Sequence, residues 1–224
     1  MAIFGVVGEK GGTGKSILAT NLAAMLANEG RDVLLIDTDT QRSSSLWQAT
    51  RSENPTLSRV HCVSIFGKGL VKEVRELAQR YQDLVIDTGG RDTLEMRATL
   101  TCVDLALLPF QPAQFDLWTV DKMAELVTQA SGINPSLEVL AVINQADTHY
   151  SSTDAKDARD FLQDYPSFQL AREPIRKRIA FKRAAQLGMG VSEYEPSTDS
   201  KASFELRALM RDIKKVVAGL AATA

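Results

Sequence analysis

A glycine-rich segment near the start of the chain, VVGEKGGTGKS at residues 6–16, holds residue types that bind phosphate groups. Its glycines Gly11, Gly12 and Gly14 allow backbone N–H groups to converge on an anion without side-chain clashes. Lys15 is placed to reach the terminal phosphates of a nucleoside triphosphate, and the Ser16 hydroxyl to bind Mg²⁺. Glu9 stands where the standard pattern G-x-x-x-x-G-K-[ST] has its first glycine, so the segment departs from that pattern.

Two further segments contain acidic residues that could share this site. DVLLIDTDTQ places Asp37 and Asp39 after one apolar run, and DLVIDTGG places Asp87 after another. In an open α/β sheet, ligands bind outside the carboxyl ends of the strands. These carboxylates should therefore face the same edge as the glycine-rich segment, where Asp87 suits direct or indirect contact with Mg²⁺. Together the three segments indicate a nucleotide hydrolase.

The elements that must position these residues are visible as apolar runs that alternate with helical patterns. The continuous runs predict buried strands of a sheet covered on both faces: IFGVVG, DVLLID, RVHCVSIF, DLVIDT, DLALLPF and LEVLAVIN. Helices are predicted at 16–29, 70–82, 92–102, 116–131, 153–165, 176–187 and 201–220, with a polar loop at 193–200. This alternation predicts an α/β fold with a mainly parallel central sheet and helices on both faces. The length predicts a single domain over residues 1–224.

Composition narrows the possible functions. The formal net charge is −2, so a role in binding nucleic acid would rest on a local basic patch. The apolar runs are too short to span a bilayer, and the N-terminus lacks the basic lead and cleavage pattern of a secretion signal. Cys62 and Cys102 lack metal-ligand spacing and are expected to be core residues of a cytoplasmic protein.

The segment KGGTGKS at 10–16 resembles the deviant Walker A motif, K-G-G-x-G-K-[ST], of the ParA/MinD family of P-loop ATPases. DTDTQ at 37–41 and DTGG at 87–90 resemble two further motifs of the family, and the resemblance covers essentially the whole chain. Within the family the chain is similar to the small, ParF-like plasmid-partition ATPases. Because the chain begins at the first strand, no N-terminal DNA-binding domain is expected. The resemblance implies a P-loop NTPase fold with ATP and Mg²⁺ as cofactors.

The resemblance also implies roles for single residues. Lys10 would contact the ATP of a second subunit while Lys15 contacts its own, so that ATP holds a dimer together. Asp39 would position the attacking water, although Thr40 replaces the usual proline beside it. Oxygen ligands of Mg²⁺ would come from Ser16, Asp37 and, through water, Asp87. The implied nucleotide contacts are Glu9, Lys10, Gly11, Gly12, Thr13, Gly14, Lys15, Ser16, Ile17, Asn144 and Pro174. Asn144 would bond the adenine edge or serve as an ordinary turn residue, and Pro174 would pack near the base.

Basic residues gather in the C-terminal third of the chain. Arg172 begins a cluster in the segment REPIRKRIAFKR, and the last predicted helix adds more positive charge. The residues expected to contact DNA are Arg176, Lys177, Arg178, Lys182, Arg183, Arg207, Arg211, Lys214 and Lys215. Such contacts would be sequence-independent and salt-dependent. A solvated helix face with ordinary ion pairs is the alternative interpretation.

These observations lead us to expect a weak, Mg²⁺-dependent ATPase that segregates plasmid or chromosomal DNA. Its ATP-bound homodimer would bind DNA non-specifically on the nucleoid, and a centromere-binding ParB-type partner would stimulate hydrolysis and release it. A MinD-like membrane ATPase is disfavoured, because the tail VVAGLAATA has no charge or aromatic residue after Lys215. Three further hypotheses are a positioner of protein cargo, an iron–sulfur reductase, which the cysteines do not fit, and a non-catalytic binding module.

Overall fold

A parallel sheet forms the centre of the molecule. The computed structural model describes residues 1–112, 117–149 and 152–223. Within them, seven parallel strands form one sheet in the order β3-β2-β4-β1-β5-β6-β7. The strands are β1 Ala2–Val6, β2 Val33–Asp37, β3 His61–Ser64, β4 Asp83–Asp87, β5 Leu105–Phe110, β6 Glu138–Ile143 and β7 Gln169–Leu170. The expected α/β fold and all six predicted strands are confirmed.

The two edge strands differ from the sequence-based prediction. The apolar run at β3 predicts a buried strand, but Val63 is 39% exposed, because within the described ranges this strand pairs only with β2. β7 is not predicted, because its two residues are too few to give an apolar run. Burial on both faces is therefore a property of the inner strands.

Helices connect the strands. They are α1 Lys15–Asn28, α2 Ser43–Ser52, α3 Leu70–Leu77, α4 Leu94–Leu100, α5 Leu117–Ser131, α6 Asp154–Leu162, α7 Ile179–Gln186, α8 Val191–Tyr194 and α9 Lys201–Thr223. The seven predicted helices are present, most of them shorter than expected; position 116, the predicted start of α5, lies outside the described residues. α8 occupies part of the segment predicted as a polar loop. Hydrophobic patterning misses α2 because its sequence, SSSLWQATRS, buries Trp47 but lacks an apolar stripe.

Each face of the sheet carries its own apolar core. On one face Phe4 and Leu35 pack with residues of α1, α2, α7 and α9. On the other face Ile3, Leu34 and Ile36 pack with residues of α3, α4, α5 and α6. Successive strand residues thus alternate between two buried layers, which explains why the strand sequences are continuously apolar.

Candidate functional site

The glycine-rich segment forms a loop at the carboxyl end of β1, between that central strand and the start of α1. Gly12 and Gly14 have φ angles of +79° and +89°, a left-handed conformation that L side chains rarely adopt. Any side chain at Gly14 would also clash, because its Cβ would lie 2.4 Å from Nδ2 of Asn144. We call residues 8–16 the phosphate loop.

A cavity of about 810 Å³ opens beside the phosphate loop. Its walls include residues 11–12 and 14–17 of the loop and helix α1, residues 38–41 after β2, and residues 88–91 after β4. We call it the main cavity. The glycine-rich loop and the segments that follow β2 and β4, which the sequence placed at one edge of the sheet, therefore share one space of the size typical of ligand sites.

Lys15 is buried at the base of this cavity. Its ammonium group donates a hydrogen bond of 2.8 Å to the main-chain carbonyl of Lys10. Burial lowers the pKa of Lys15, and the nearby carboxylates of Asp87 and Asp39 oppose that change. The side chain of Lys10 is partly exposed beside the loop. A cation held in the loop and facing two acids suits the binding of a phosphate group and its metal ion.

Asp37 and Asp87 lie side by side in the register of β2 and β4, and both are fully buried. Oδ1 of Asp37 accepts a hydrogen bond from the N–H of Asp39 at 3.1 Å. Its Oδ2 accepts from the N–H of Ser45 at 2.8 Å and from the Ser45 hydroxyl at 2.7 Å. Asp37 therefore ties the start of α2 to the sheet.

Only one of the two carboxylate oxygens of Asp87 has a hydrogen-bond partner among the described residues, so its hydrogen bonding is half satisfied. Its Oδ2 accepts a hydrogen bond of 2.7 Å from the Ser44 hydroxyl, whereas Oδ1 has no hydrogen-bond partner in the described part of the chain. Burial raises the pKa of Asp87 to about 7, and the Ser44 and Ser16 hydroxyls oppose the rise. A buried carboxylate oxygen without a donor is a position where a cation can replace lost hydration.

The oxygen donors near Asp87 fit Mg²⁺. This ion prefers carboxylate, hydroxyl, phosphate and water oxygens, and it is usually held by one or two carboxylates plus substrate phosphates. Ser16 lines the main cavity, and Asp37 and Asp87 end the strands beside it. No group of three or more acids, histidines or cysteines in the described ranges could hold a metal ion without other ligands. The donor set therefore suits a metal that arrives with a nucleotide.

Asp39 lines the main cavity and is partly exposed. Its Oδ1 accepts a hydrogen bond from the N–H of Gln41 at 3.0 Å, which closes a turn before α2. A Cβ built on Gly89 would lie 3.5 Å from the Asp39 carboxyl carbon, so this carboxylate lies against the loop after β4. Thr40, the residue that replaces proline, is exposed on the cavity wall.

Three amide side chains hold the phosphate loop from the opposite side. Asn144 donates a hydrogen bond of 2.6 Å to the carbonyl of Thr13. Gln145 and Gln111 each donate a hydrogen bond of 2.8 Å to the carbonyl of Gly12. Gln145 adopts a φ of 55°, an uncommon value for a residue with a side chain. Sequence reasoning missed both glutamines, because no short motif marks an amide that contacts a distant carbonyl.

Neither predicted adenine contact is among the described residues that line the main cavity. The amide of buried Asn144 is committed to the phosphate loop, and Pro174 does not line the main cavity among the residues described. A second, polar cavity of about 460 Å³ meets the main cavity at Gln145 and is lined also by Asp147 and Lys177. An adenine-recognition role for Asn144 therefore stays a prediction, and its observed contact is with the loop.

Comparison with known proteins identifies the family. Residues 4–191 match the family model described as the CobQ/CobB/MinD/ParA nucleotide binding domain. The chain belongs to this family. The Maintenance of carboxysome distribution protein A of Halothiobacillus neapolitanus is 27% identical over 190 residues, which cover 81% of this chain and 82% of that protein. Protein ParA of Rhizobium radiobacter is 26% identical over 58% of this chain and 57% of its own length.

Solved structures of family members have the same fold. A putative plasmid partition protein from Borrelia burgdorferi, bound to AMPPNP, superimposes with a TM-score of 0.74 at 18% identity and covers 96% of this chain and 98% of its own. The septum site-determining protein MinD of Pyrococcus horikoshii, complexed with Mg-ADP, gives a TM-score of 0.73 at 18% identity, with 98% of each chain covered. The P-loop NTPase fold expected from the sequence is confirmed.

Within this ParA/MinD-type domain, Glu9, the residue that departs from the standard pattern, contacts a lysine of α5. The Glu9 carboxylate accepts a hydrogen bond from Lys122 of α5, which also lies 3.4 Å from Asp92. Asp92 in turn pairs with Arg97 of α4. The Glu9 side chain thus links the phosphate loop to α4 and α5.

Two other residues predicted to contact the nucleotide differ in position. Ile17 lines the main cavity, whereas Thr13 is buried behind it.

The basic residues predicted to contact DNA divide into two sets. Arg176 and Arg178 both pair with the buried carboxylate of Glu205, and Lys214 pairs with Glu29. The remaining residues form no ion pair with any described residue: Lys177, Lys182, Arg183, Arg207, Arg211 and Lys215. Arg172, which began the cluster, pairs with Asp212. Ion pairing therefore neutralises part of the positive charge that the sequence suggested.

Helix α2 links the nucleotide-binding edge to the C-terminal helices. Its first turn is bonded to Asp37 and Asp87, as described above. At its other end Arg51, which is buried, pairs with Glu193 of α8 and donates to the carbonyl of Gly188 at 3.0 Å. The Arg51 guanidinium also stacks over Trp47, 5.2 Å from the ring centre.

Among the described helices of this domain, none is long and apolar enough to cross a membrane.

Proposed function

We propose that this protein binds Mg-ATP in the main cavity and hydrolyses it. The observation that carries the proposal is that Lys15 and Asp39 line one cavity beside the phosphate loop, with the half-satisfied Asp87 buried directly before the cavity-lining residues 88–91. Lys15 and the loop N–H groups bind the β- and γ-phosphates, with Mg²⁺ offsetting their charge. Asp39 accepts a hydrogen bond from water and orients it toward the γ-phosphate. The family and the nucleotide complexes of solved relatives support this assignment.

Phosphate release from ATP tests this proposal. Lys15→Ala should abolish both binding and release, and Asp39→Ala should abolish release while ATP binding is kept. Lys156→Ala, at an exposed lysine of α6, is the matched control and should behave as wild type. Chelation of Mg²⁺ should stop release. Unchanged turnover in Asp39→Ala would remove the catalytic assignment.

We also propose that ATP drives dimer formation, with Lys10 reaching the nucleotide of the second subunit. Two facing Mg-ATP sites would repel each other, and an added ammonium group from each partner reduces that repulsion. Light scattering with a slowly hydrolysed ATP analogue should give a dimer for wild type and for Asp39→Ala, but a monomer with ADP. Lys10→Ala should weaken the dimer and slow hydrolysis; if both stay at wild-type level, the contact in trans is wrong.

The work done by this ATPase cycle is, we propose, DNA segregation. The ATP dimer binds nucleoid DNA non-specifically, and a ParB-type partner on a centromere-like site stimulates hydrolysis. Exposed Lys182 and Arg183 on α7, which have no ion pair in the described ranges, are the best candidates for phosphate contacts. Lys182→Glu with Arg183→Glu should weaken DNA binding and its salt dependence, whereas the control Lys156→Glu should not. Affinity that does not change with salt would exclude this role.

Positioning of a protein cargo is the second candidate function. It is favoured by the similarity to the Maintenance of carboxysome distribution protein A, which covers more of this chain than the similarity to Protein ParA does. Deletion of the gene in its own host separates the two candidates. Loss of plasmid or chromosome inheritance supports DNA segregation. Normal inheritance with clustered intracellular protein assemblies supports cargo positioning.

A further inference from the structure

An arginine at the rim of the main cavity has no assigned role. Arg91 follows the DTGG segment, lines the cavity and is exposed to solvent. Within the described part of the chain it forms no ion pair or hydrogen bond. The DTGG motif ends at Gly90, so the sequence pattern assigns this arginine no function.

The two preceding glycines fix Arg91 close to the phosphate loop. A Cβ built on Gly90 would lie 2.6 Å from Cα of Gly11 and 3.4 Å from Nζ of Lys15. A Cβ on Gly89 would lie 3.5 Å from the carboxyl carbon of Asp39. Because consecutive Cα atoms are about 3.8 Å apart, Arg91 begins one residue away from backbone that approaches Lys15, proposed to bind the γ-phosphate, and Asp39, proposed to orient the attacking water.

The lack of a partner does not reflect a lack of acids nearby. Asp92 is the next residue, but its two oxygens accept hydrogen bonds of 2.7 Å from Arg97. Glu95 also lines the main cavity, and its carboxylate accepts a hydrogen bond of 2.8 Å from the N–H of Gly67. Both acids are therefore engaged elsewhere, and the positive charge of Arg91 faces a cavity that already holds the ammonium group of Lys15.

We propose that Arg91 binds the γ-phosphate of ATP in the main cavity and makes the site prefer ATP to ADP. The inference rests on the proposed binding of ATP in this cavity. A guanidinium group presents parallel N–H donors that match two oxygens of a phosphate, and such charge-assisted hydrogen bonds are strong. ADP lacks the terminal phosphate, so the contact would be present in one nucleotide complex and missing from the other.

Nucleotide titrations of Arg91→Ala and Arg91→Lys test the proposal. We expect Arg91→Ala to weaken binding of a slowly hydrolysed ATP analogue by about 10-fold or more, and binding of ADP by less than about 2-fold. Arg91→Lys, which keeps the charge without the planar fork, should fall between. Arg80→Ala is the matched control, because Arg80 is exposed near the end of α3 and does not line the main cavity.

The outcomes distinguish the proposed role of Arg91 from the broader proposal that the protein binds ATP in the main cavity. If wild type binds neither nucleotide, ATP binding and the role of Arg91 are both overturned. If wild type binds both, and Arg91→Ala is unchanged or weakens both equally, only the γ-phosphate contact is overturned. A selective loss of the ATP analogue, with Arg80→Ala at wild-type affinity, is the expected result.

Discussion

The hydroxyl of Ser44 donates a hydrogen bond of 2.7 Å to Oδ2 of Asp87, while Oδ1 of the same carboxylate has no donor in the described part of the chain. One serine at the start of α2 thus donates a hydrogen bond to one oxygen of a completely buried acid at the end of β4. Buried carboxylates are normally paired or fully hydrogen-bonded, so Asp87 is an exception, and the predicted contact with Mg²⁺ would account for it.

We first predict that Asp87 lowers the stability of the metal-free protein as pH rises. Burial raises its pKa to about 7 in the folded state, so the fold binds this proton more tightly than the unfolded chain does. The destabilising contribution of Asp87 is therefore absent below roughly pH 4, grows as the pH rises, and is complete once the pH passes roughly 7. The accumulated loss is about 2–4 kcal/mol, and Asp87→Asn should remove it.

Urea unfolding between pH 5 and pH 8, without nucleotide or Mg²⁺, measures this loss. Asp32→Asn, at an exposed acid just before β2, serves as the control and should keep the wild-type pH dependence. Parallel stability curves for wild type and Asp87→Asn would show that Asp87 does not carry the penalty.

The second prediction concerns the buried pair of Arg51 and Glu193. Removing one partner leaves an uncompensated charge, which typically costs about 3–5 kcal/mol of folding free energy. Arg51→Ala or Glu193→Gln should therefore lower the unfolding midpoint in denaturant strongly. Lys72→Ala breaks an exposed pair with Glu76 and should cost no more than about 0.5 kcal/mol. Equal effects at the buried and exposed pairs would contradict the structural account of α2.

A third prediction follows from the contact between Gly90 and Gly11. An alanine at Gly90 would place its Cβ 2.6 Å from Cα of Gly11, so one of the two loops must move. Gly90→Ala should weaken ATP-analogue binding by about 10-fold or more, because a shift of the phosphate loop would displace the N–H groups proposed to bind the phosphates. Gly219→Ala in α9, where a new Cβ meets nothing within 4 Å, is a matched control. Wild-type affinity in Gly90→Ala would show that the loops tolerate separation.

The fourth prediction separates two roles for Asn144. If its amide positions the phosphate loop, Asn144→Ala should weaken binding of ATP and GTP analogues by similar factors. If it recognises adenine, the preference for ATP over GTP should fall while GTP binding stays constant. The hydrogen bond of 2.6 Å to the Thr13 carbonyl leads us to expect the first result. Competition titrations with both nucleotides give the answer directly.

Much of this site could be predicted from sequence because its signals are local. Glycines that need a left-handed backbone, as at Gly12 and Gly14, are visible in a short motif, and so are strands that end in acids. The parallel sheet followed from continuous apolar runs. These features depend on neighbours in the chain, and sequence patterns record such neighbours well.

The remaining features depend on residues that are distant in the chain. Gln111 and Gln145 contact Gly12 across separations of 99 and 133 residues, and no periodicity encodes such a contact. Helix α2 is held by polar bonds and by Arg51 rather than by an apolar stripe, so hydrophobic patterning could not reveal it. Likewise, the basic run around Arg178 gave no indication that Glu205, 27 residues away, would neutralise it.

The strands on the two sides of β1 end in or lead into side chains of different chemistry. On one side, β4 and then β2 end in carboxylates; on the other, β5 and then β6 lead into amides. Acids can exchange partners with a metal ion, whereas the uncharged amides donate to carbonyls of the phosphate loop and hold its backbone in place. Substitutions on the first side should therefore alter which ions and phosphates are accepted, and those on the second should alter how rigidly the cradle that receives them is shaped.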